Sequence, residues 1–378
     1  MRTEVLFNDG WLFTDLDGNL SQVNIPHTWN ALDGQDGGDD YRRGQCVYEK
    51  NFPMPAFDGQ TQQVYLEFAG VNASAEVTLN GKKVTEHHGG YSTFRCDITD
   101  FLQTENALHV AVDNGKNDTV YPQKADFTFY GGIYRTVKLL IVNKTHFDLD
   151  YYGGTGLKIT PNINGQVRVE TWHTNADAQV KITLLDAKNR QVATGTGNDI
   201  MLTIKNPHLW QGIVDPYLYS CKAELVVDGE CVDYVNQKFG IRSFSVDSKK
   251  GFFLNGKPYP LRGVCRHQDW KGIGNALSKE HHDTDMALIR EVGANTVRLA
   301  HYQHDQYFYD LCDRYGLVVW AEIPYISEHM ENGFNNTVSQ MQELIVQNYN
   351  HPSICVWGIS NEITISTKNK KDMLRNHR

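Results

Sequence analysis

The chain has 378 residues, 40% of them hydrophobic and 21% charged, with a formal net charge of −9. That length predicts two or three domains, and no apolar run approaches membrane-spanning length, so a membrane partner is excluded. The acidic balance, without any basic cluster, also argues against a nucleic-acid partner.

The first third reads as strands. QQVYLEF and AEVTLNGKKV alternate apolar and polar residues, and Asn80-Gly81 is a strong hairpin signal. NALHVAVDN and YRTVKLLIV continue the pattern. Strands this dense predict a β-sandwich of jelly-roll type over residues 1–143. QVRVETWHT, AQVKITLLD and CKAELVVDG then predict a small immunoglobulin-like β-sandwich over 144–243, read as a spacer.

From 244 the pattern changes. YPLRGV, NTVRLAH, LVVWAEI and ICVWGIS read as strands, and helices are predicted between them. The first runs from an N-cap at Ser278 to a stop at Gly293, with Met286, Ile289 and Val292 inward. The second is DQYFYDLCDRYG and the third TVSQMQELIVQNYN. Alternating strands and helices mean parallel strands with crossover helices. No glycine-rich phosphate loop follows any strand, so a (β/α)8 TIM barrel is favoured over a nucleotide-binding sheet.

Barrel chemistry sits at the C-terminal ends of the strands. Here those ends carry Arg266, His267 and Asp269, then Arg298 and His301-Tyr302, then Glu322 with Glu328-His329, and last Asn361-Glu362. Without a cysteine nucleophile, this set suggests carboxylate chemistry on a hydroxyl-rich substrate, a sugar. Retaining glycoside hydrolysis needs a protonated carboxyl for the leaving oxygen and a second carboxylate about 5–5.5 Å away as nucleophile. Glu362 suits the first role, with Asn361 placed to bond a sugar hydroxyl. Trp210, Trp357 and the Ig-like strands read as core. Arg42 and Arg43 read as solvated, Phe129 and Tyr130 as candidate walls of a sugar pocket, and His281-His282 as no metal site by themselves. Seven scattered cysteines and an N-terminus without a signal-like apolar core predict a reduced, cytoplasmic setting, with a secreted or periplasmic one left open.

PLRGVCRHQD, NTVRLAHYQHD, YDLCDRYGLVVWAEIP and NHPSICVWGISNE resemble, in order and spacing, the barrel motifs of glycoside hydrolase family 2, in its β-galactosidase branch. IPHTWN, FAGVNASAEVTLNG, DFTFYGGIYR and FGIRSF extend that resemblance over essentially the whole chain. It implies a sugar-binding jelly roll, an immunoglobulin-like domain and a TIM barrel, present as strands one to four in 244–378. Carried over by position, Glu362 is the general acid/base, and Arg298 holds the catalytic nucleophile. Asn361, Asp126, His267 and His301 bind substrate. His329 and Glu362 are candidate magnesium ligands, although Ser327 stands where a glutamate ligand is usual, which leaves Glu328 as its substitute or the magnesium site absent, and Asp126 implies sodium. No organic cofactor is implied.

The family's nucleophile lies on the seventh barrel strand, so no residue of this chain is assigned that role, and Glu322 is read as the structural partner of Arg298 or Arg266. The expected function is a retaining exo-β-galactosidase, represented by a C-terminally truncated chain that is inactive alone. A β-glucuronidase, a β-mannosidase or a non-catalytic carbohydrate-binding relative are the alternatives. The partners implied are a small β-glycoside and, for the whole enzyme, a homo-oligomer.

Overall fold

The structure is a computed structural model, and it describes residues 1–35, 41–364, 367–368 and 370–377. The first sandwich packs a four-stranded antiparallel sheet against a six-stranded one. Strand Glu105–Asp113 sits inside the larger sheet, and its burial alternates residue by residue, as one core-facing side requires. The hairpin between Ser74–Leu79 and Lys82–His88 turns at Asn80 (φ 52°) and Gly81 (φ 77°). Both angles are positive, as in the tight turn that matches strand twist. Trp11, Tyr48, Val64, Leu66, Phe68 and Val110 fill the space between the sheets.

The second sandwich pairs a three-stranded with a four-stranded sheet over Ile159, Val169, Ile182, Ala223 and Leu225. A small antiparallel sheet over 244–258 then leads to four parallel strands in sequential order: Gly263–Arg266, Thr296–Leu299, Val318–Glu322 and Ile354–Gly358. Three helices connect them: α1 (Lys279–Glu291), α2 (Gln306–Tyr315) and α3 (Phe334–Asn348). Val297, Leu299, Val319 and Ala321 are buried beneath the helices. The opposite face carries the row Cys265–Arg298–Trp320–Val356, and Trp320 there is 47% exposed. The architecture is thus a jelly-roll sandwich, an immunoglobulin-like sandwich and TIM-barrel strands, as expected.

Local chemistry explains the helix ends. Ser278 caps α1, with His281 completing a capping box. Asp305 accepts a hydrogen bond from the Tyr307 N–H at the start of α2, and Gly316, at φ 79°, closes that helix in the left-handed conformation. The α1 stripe is narrower than expected. Met286 and Ile289 are buried, but Val292, the residue that caps the C-terminal end, is 70% exposed.

The second sandwich does more than space the other two units. Trp210 is fully buried and donates from Nε1 to the Asp313 carbonyl at 2.9 Å, which joins that sandwich to α2. Helix α3 turns a polar stripe to the first sandwich. Asn336 accepts from the Tyr121 N–H at 2.9 Å, Glu343 takes Ser92 Oγ at 2.5 Å and meets His87 Nε2 at 2.7 Å, and Gln347 accepts from the Thr93 N–H at 3.1 Å. Just beyond the helix, Asn350 accepts from the Ile159 N–H at 2.8 Å in the second sandwich. Buried polar side chains are tolerated when partnered, and here the partners lie across domain boundaries.

Candidate active site

Parallel βα connections bring every strand's C-terminal end to one edge, and a connected polar network forms there. Arg298 donates from Nε to Glu322 Oε1 at 2.5 Å and from Nη2 to Glu322 Oε2 at 3.1 Å. The same Nη2 reaches Asn361 Oδ1 at 2.8 Å. His301 donates from Nδ1 to Glu322 Oε2 at 3.1 Å. Burial pushes the Glu322 carboxyl up, but its bonds to His301 and Arg298 and the Arg298 charge outweigh that and hold it below its ordinary range. Glu322 is therefore an ionised anchor with both oxygens occupied. Of its two expected partners, Arg298 is the one it takes.

Asn361 is fixed twice. Its side-chain oxygen is held by Arg298, which leaves the amide NH2 as the free donor. Its backbone N–H donates to the Tyr325 carbonyl, and its carbonyl accepts from the Ser327 N–H, both at 3.0 Å. Glu362 follows in a left-handed conformation (φ 50°) with an exposed side chain, while Ile363 is buried in the barrel-helix core. Left-handed backbone at a non-glycine residue costs of order 1–3 kcal/mol and is concentrated at functional sites.

The first sandwich contributes one wall. The loop that carries exposed Asp126 lays Phe127 over the barrel edge. Its ring centroid lies 5.1 Å from His267, 5.4 Å from Tyr302 and 5.9 Å from His301, stacked on the last. The rings of His267 and His301 are themselves 5.2 Å apart. Burial, helped by the His301 charge, lowers the His267 pKa against the opposing pull of Asp269 and Asp126. The Tyr302 hydroxyl accepts from the Gln268 N–H at 3.1 Å and makes a second hydrogen bond with His267 Nδ1 at 3.2 Å.

Six predicted site residues thus gather at one edge: Arg298, His301, His267, Asn361, Glu362 and, across the domain boundary, Asp126. Other expectations are corrected. Arg266 is buried behind the sheet, paired with Asp285 at 2.7 Å and lying over the Phe308 ring, because its strand position faces the helices. Phe129 and Tyr130 are both buried, and Tyr130 lines a small cleft with Gln268 and Tyr302 at the junction of sandwich and barrel. Arg43 is half-buried, donating to the Asn114 carbonyl at 2.8 Å and covering the Phe129 ring, whereas Arg42 is exposed. Phe127 went unread although it follows Asp126 directly. An aromatic residue beside a candidate ligand-binding acid was the available signal.

The ligand set for magnesium does not come together. The His329 nitrogens are both engaged, Nδ1 with the Tyr325 hydroxyl at 2.9 Å and Nε2 with Asp372 at 3.0 Å. Among the described residues, Asp310, Asp313 and His351 form the one cluster of three His, Cys, Asp or Glu ligand atoms within 4.8 Å of one another. That cluster precedes the third and fourth strands and so lies at the edge opposite Glu362. Residues around His329 do not fit an oxygen-rich magnesium shell, and Asp126 alone does not make a sodium site.

A jelly-roll sandwich meeting a parallel-barrel edge that bears adjacent Asn361 and Glu362 is a multidomain barrel architecture with its polar site at the strand ends. Family models agree: "Glycosyl hydrolases family 2, sugar binding domain" matches residues 6–143, "Glycosyl hydrolases family 2" matches 148–242, and "Glycosyl hydrolases family 2, TIM barrel domain" matches 245–378. The chain belongs to glycoside hydrolase family 2.

Among its relatives, a β-glucuronidase of Bacteroides fragilis is 39% identical over 96% of this chain and 56% of its own length. A β-galactosidase of Thermoanaerobacter pseudethanolicus is 32% identical over 93% of this chain and 49% of its own. The crystal structure of an FMN-binding β-glucuronidase from Faecalibacterium prausnitzii L2-6 superposes with a TM-score of 0.96 at 42% identity, over 100% of this chain and 61% of that one. The chain spans about half the length of the curated relatives it matches. No helix among the described residues is long and apolar enough to cross a membrane.

Proposed function

We propose that this chain belongs to a retaining exo-β-glucuronidase, which releases terminal β-D-glucuronic acid from small glycosides. The observation that carries the reading is the exposed Glu362 at a strand end, beside an asparagine whose side chain Arg298 holds. Glu362 protonates the leaving oxygen and then acts as base on the attacking water. The free amide of Asn361 bonds a ring hydroxyl, and such bonds strengthen as positive charge develops at the sugar. His267 and His301, under Phe127, contact further hydroxyls. The nucleophile is assigned to no described residue, since Glu322 is saturated by Arg298 and His301.

Glucuronic acid takes precedence over galactose because the relatives named above include two β-glucuronidases with the higher identities. A β-galactosidase is the second reading. Asp126 favours it, since a carboxylate at the mouth repels a uronic acid, and so does the Thermoanaerobacter relative. The test compares kcat/KM of the natural-length protein on p-nitrophenyl β-D-glucuronide and on the β-D-galactoside. A preference of about tenfold or more for the glucuronide is expected, and the reverse preference replaces this reading with the second.

A further inference from the structure

A cavity of about 520 Å³ lies between the second sandwich and the C-terminal end of α3. This is the edge where the strands begin, opposite Glu362. Its walls come from Tyr151, Leu157 and Trp172 on the sandwich side and from Ile345, Val346 and Tyr349 on and just after the helix. Three of these are aromatic and partly bare: Tyr151 is 60% exposed, Trp172 49% and Tyr349 36%. Three wet aromatic side chains from separate elements around one concavity are more than scattered surface hydrophobics.

The walls are fixed before any ligand arrives. Asn350 ties the helix end to the sandwich through the Ile159 N–H at 2.8 Å and the Leu157 carbonyl at 2.9 Å. Gln347 donates to the Tyr152 carbonyl at 2.8 Å. The Tyr349 ring is held by a hydroxyl contact with Thr160 at 3.1 Å and by the Lys158 ammonium, 4.9 Å from its centroid. A preformed site loses little in ordering itself on binding.

The charged groups at the cavity, Lys158 and Asp148, already have partners. Lys158 pairs with Glu170 at 3.3 Å, and Asp148 accepts from the Asp150 N–H at 2.9 Å. One face of a sugar ring can stack on such side chains, but its hydroxyls then need polar partners, which these walls supply sparsely. A flat apolar ring can stack or meet edge-to-face with the three aromatic side chains and needs few hydrogen bonds.

We propose that this cavity binds a planar aromatic compound at a site separate from the Glu362 edge. That chemistry has two sources, the aromatic aglycone released from an aryl glycoside or a free aromatic compound held by the protein. The experiment is calorimetric titration of the natural-length protein with 4-methylumbelliferone, with cellobiose and cyclohexanol as the sugar and non-planar controls. Saturable binding of 4-methylumbelliferone alone is expected, weakened about tenfold or more by Trp172→Ala and by Val346→Trp, which fills the cavity without removing a wall. Absence of saturable binding, equal binding of either control, or unchanged affinity in both variants overturns the proposal. A near-ultraviolet absorbance band released from the purified protein on denaturation identifies a resident compound as the source, and no such band with 4-methylumbelliferone binding identifies the aglycone. The readout is binding, so it stands or falls independently of hydrolysis.

Discussion

Replacing Glu322 with glutamine removes the charge at the centre of the Arg298–His301–Asn361 network while keeping the shape. Breaking a buried ion pair by deleting one partner costs about 3–5 kcal/mol. The Glu322 side chain is 4% exposed but that of Arg298 is 32% exposed, so water relieves part of the stranded guanidinium's cost. The lower end, about 3 kcal/mol, is the expected loss. Urea unfolding at pH 7 measures it.

The pH dependence sharpens the test. The folded Glu322 carboxyl titrates below its ordinary 4.5, so its stabilisation is fully present above that value and is lost as pH falls through the folded pKa. The gap between parent and Glu322→Gln therefore narrows as the pH drops below about 4.5. A second readout is kcat/KM, which falls because Arg298 no longer fixes the Asn361 amide. A variant that unfolds within about 0.5 kcal/mol of the parent at neutral pH refutes the claim that this pair holds the edge together.

Glu362→Gln is expected to slow hydrolysis by about 10²–10⁴-fold for glycosides with poor leaving groups, and far less for activated aryl glycosides, as a leaving-group series would show. Gly316→Ala places a Cβ 2.1 Å from the Gly212 carbonyl oxygen at a backbone φ of 79°. Thermal melts should register a loss of about 2 kcal/mol or more, where an ordinary helix-end substitution would register almost none. Burial lowers His27 and His282 from 6.5 to about 4. Their neutral forms stabilise the fold above pH 6.5, and that contribution is lost as pH falls toward 4, at about 1.4 kcal/mol per pH unit for each group. His27→Gln should leave a visibly shallower acid limb.

Much of this architecture was legible because periodicity and punctuation agreed. Asn80-Gly81 marked a hairpin that formed there, and Asp305 with Gly316 bracketed α2. The four strand ends were readable as one site because parallel topology admits no other arrangement. What could not be read was which side of a strand end each polar residue would take. Arg266 and Arg298 look alike in sequence, yet the first turns to the helices and the second to the open face. Contacts between distant segments were equally hidden. Nothing local marks Glu343 as a partner for Ser92, and an apolar-stripe reading of α3 passes over the polar residues that dock it. Substrate preference was the furthest from reach, since among the matched positions only Asp126 bears on the choice between a galactoside and a glucuronide, and it points away from the preference of the relatives with the higher identities.

The Phe127 loop belongs to the first sandwich yet lies against the histidines of the barrel edge, and the polar stripe of α3 holds that sandwich in register with the sheet. On the proposed reading, the sandwich thus adds an aromatic wall to a site whose histidines, Asn361 and Glu362 belong to the barrel. Within residues 124–131 the positions open to change are 124–128, since Phe129 and Tyr130 are buried and a Cβ at Gly131 would meet the Trp29 ring at 2.1 Å, and none of those positions belongs to the barrel's own hydrophobic core. For an engineer the interchangeable part is the sandwich, provided that the surface meeting Asn336, Glu343 and Gln347 travels with it.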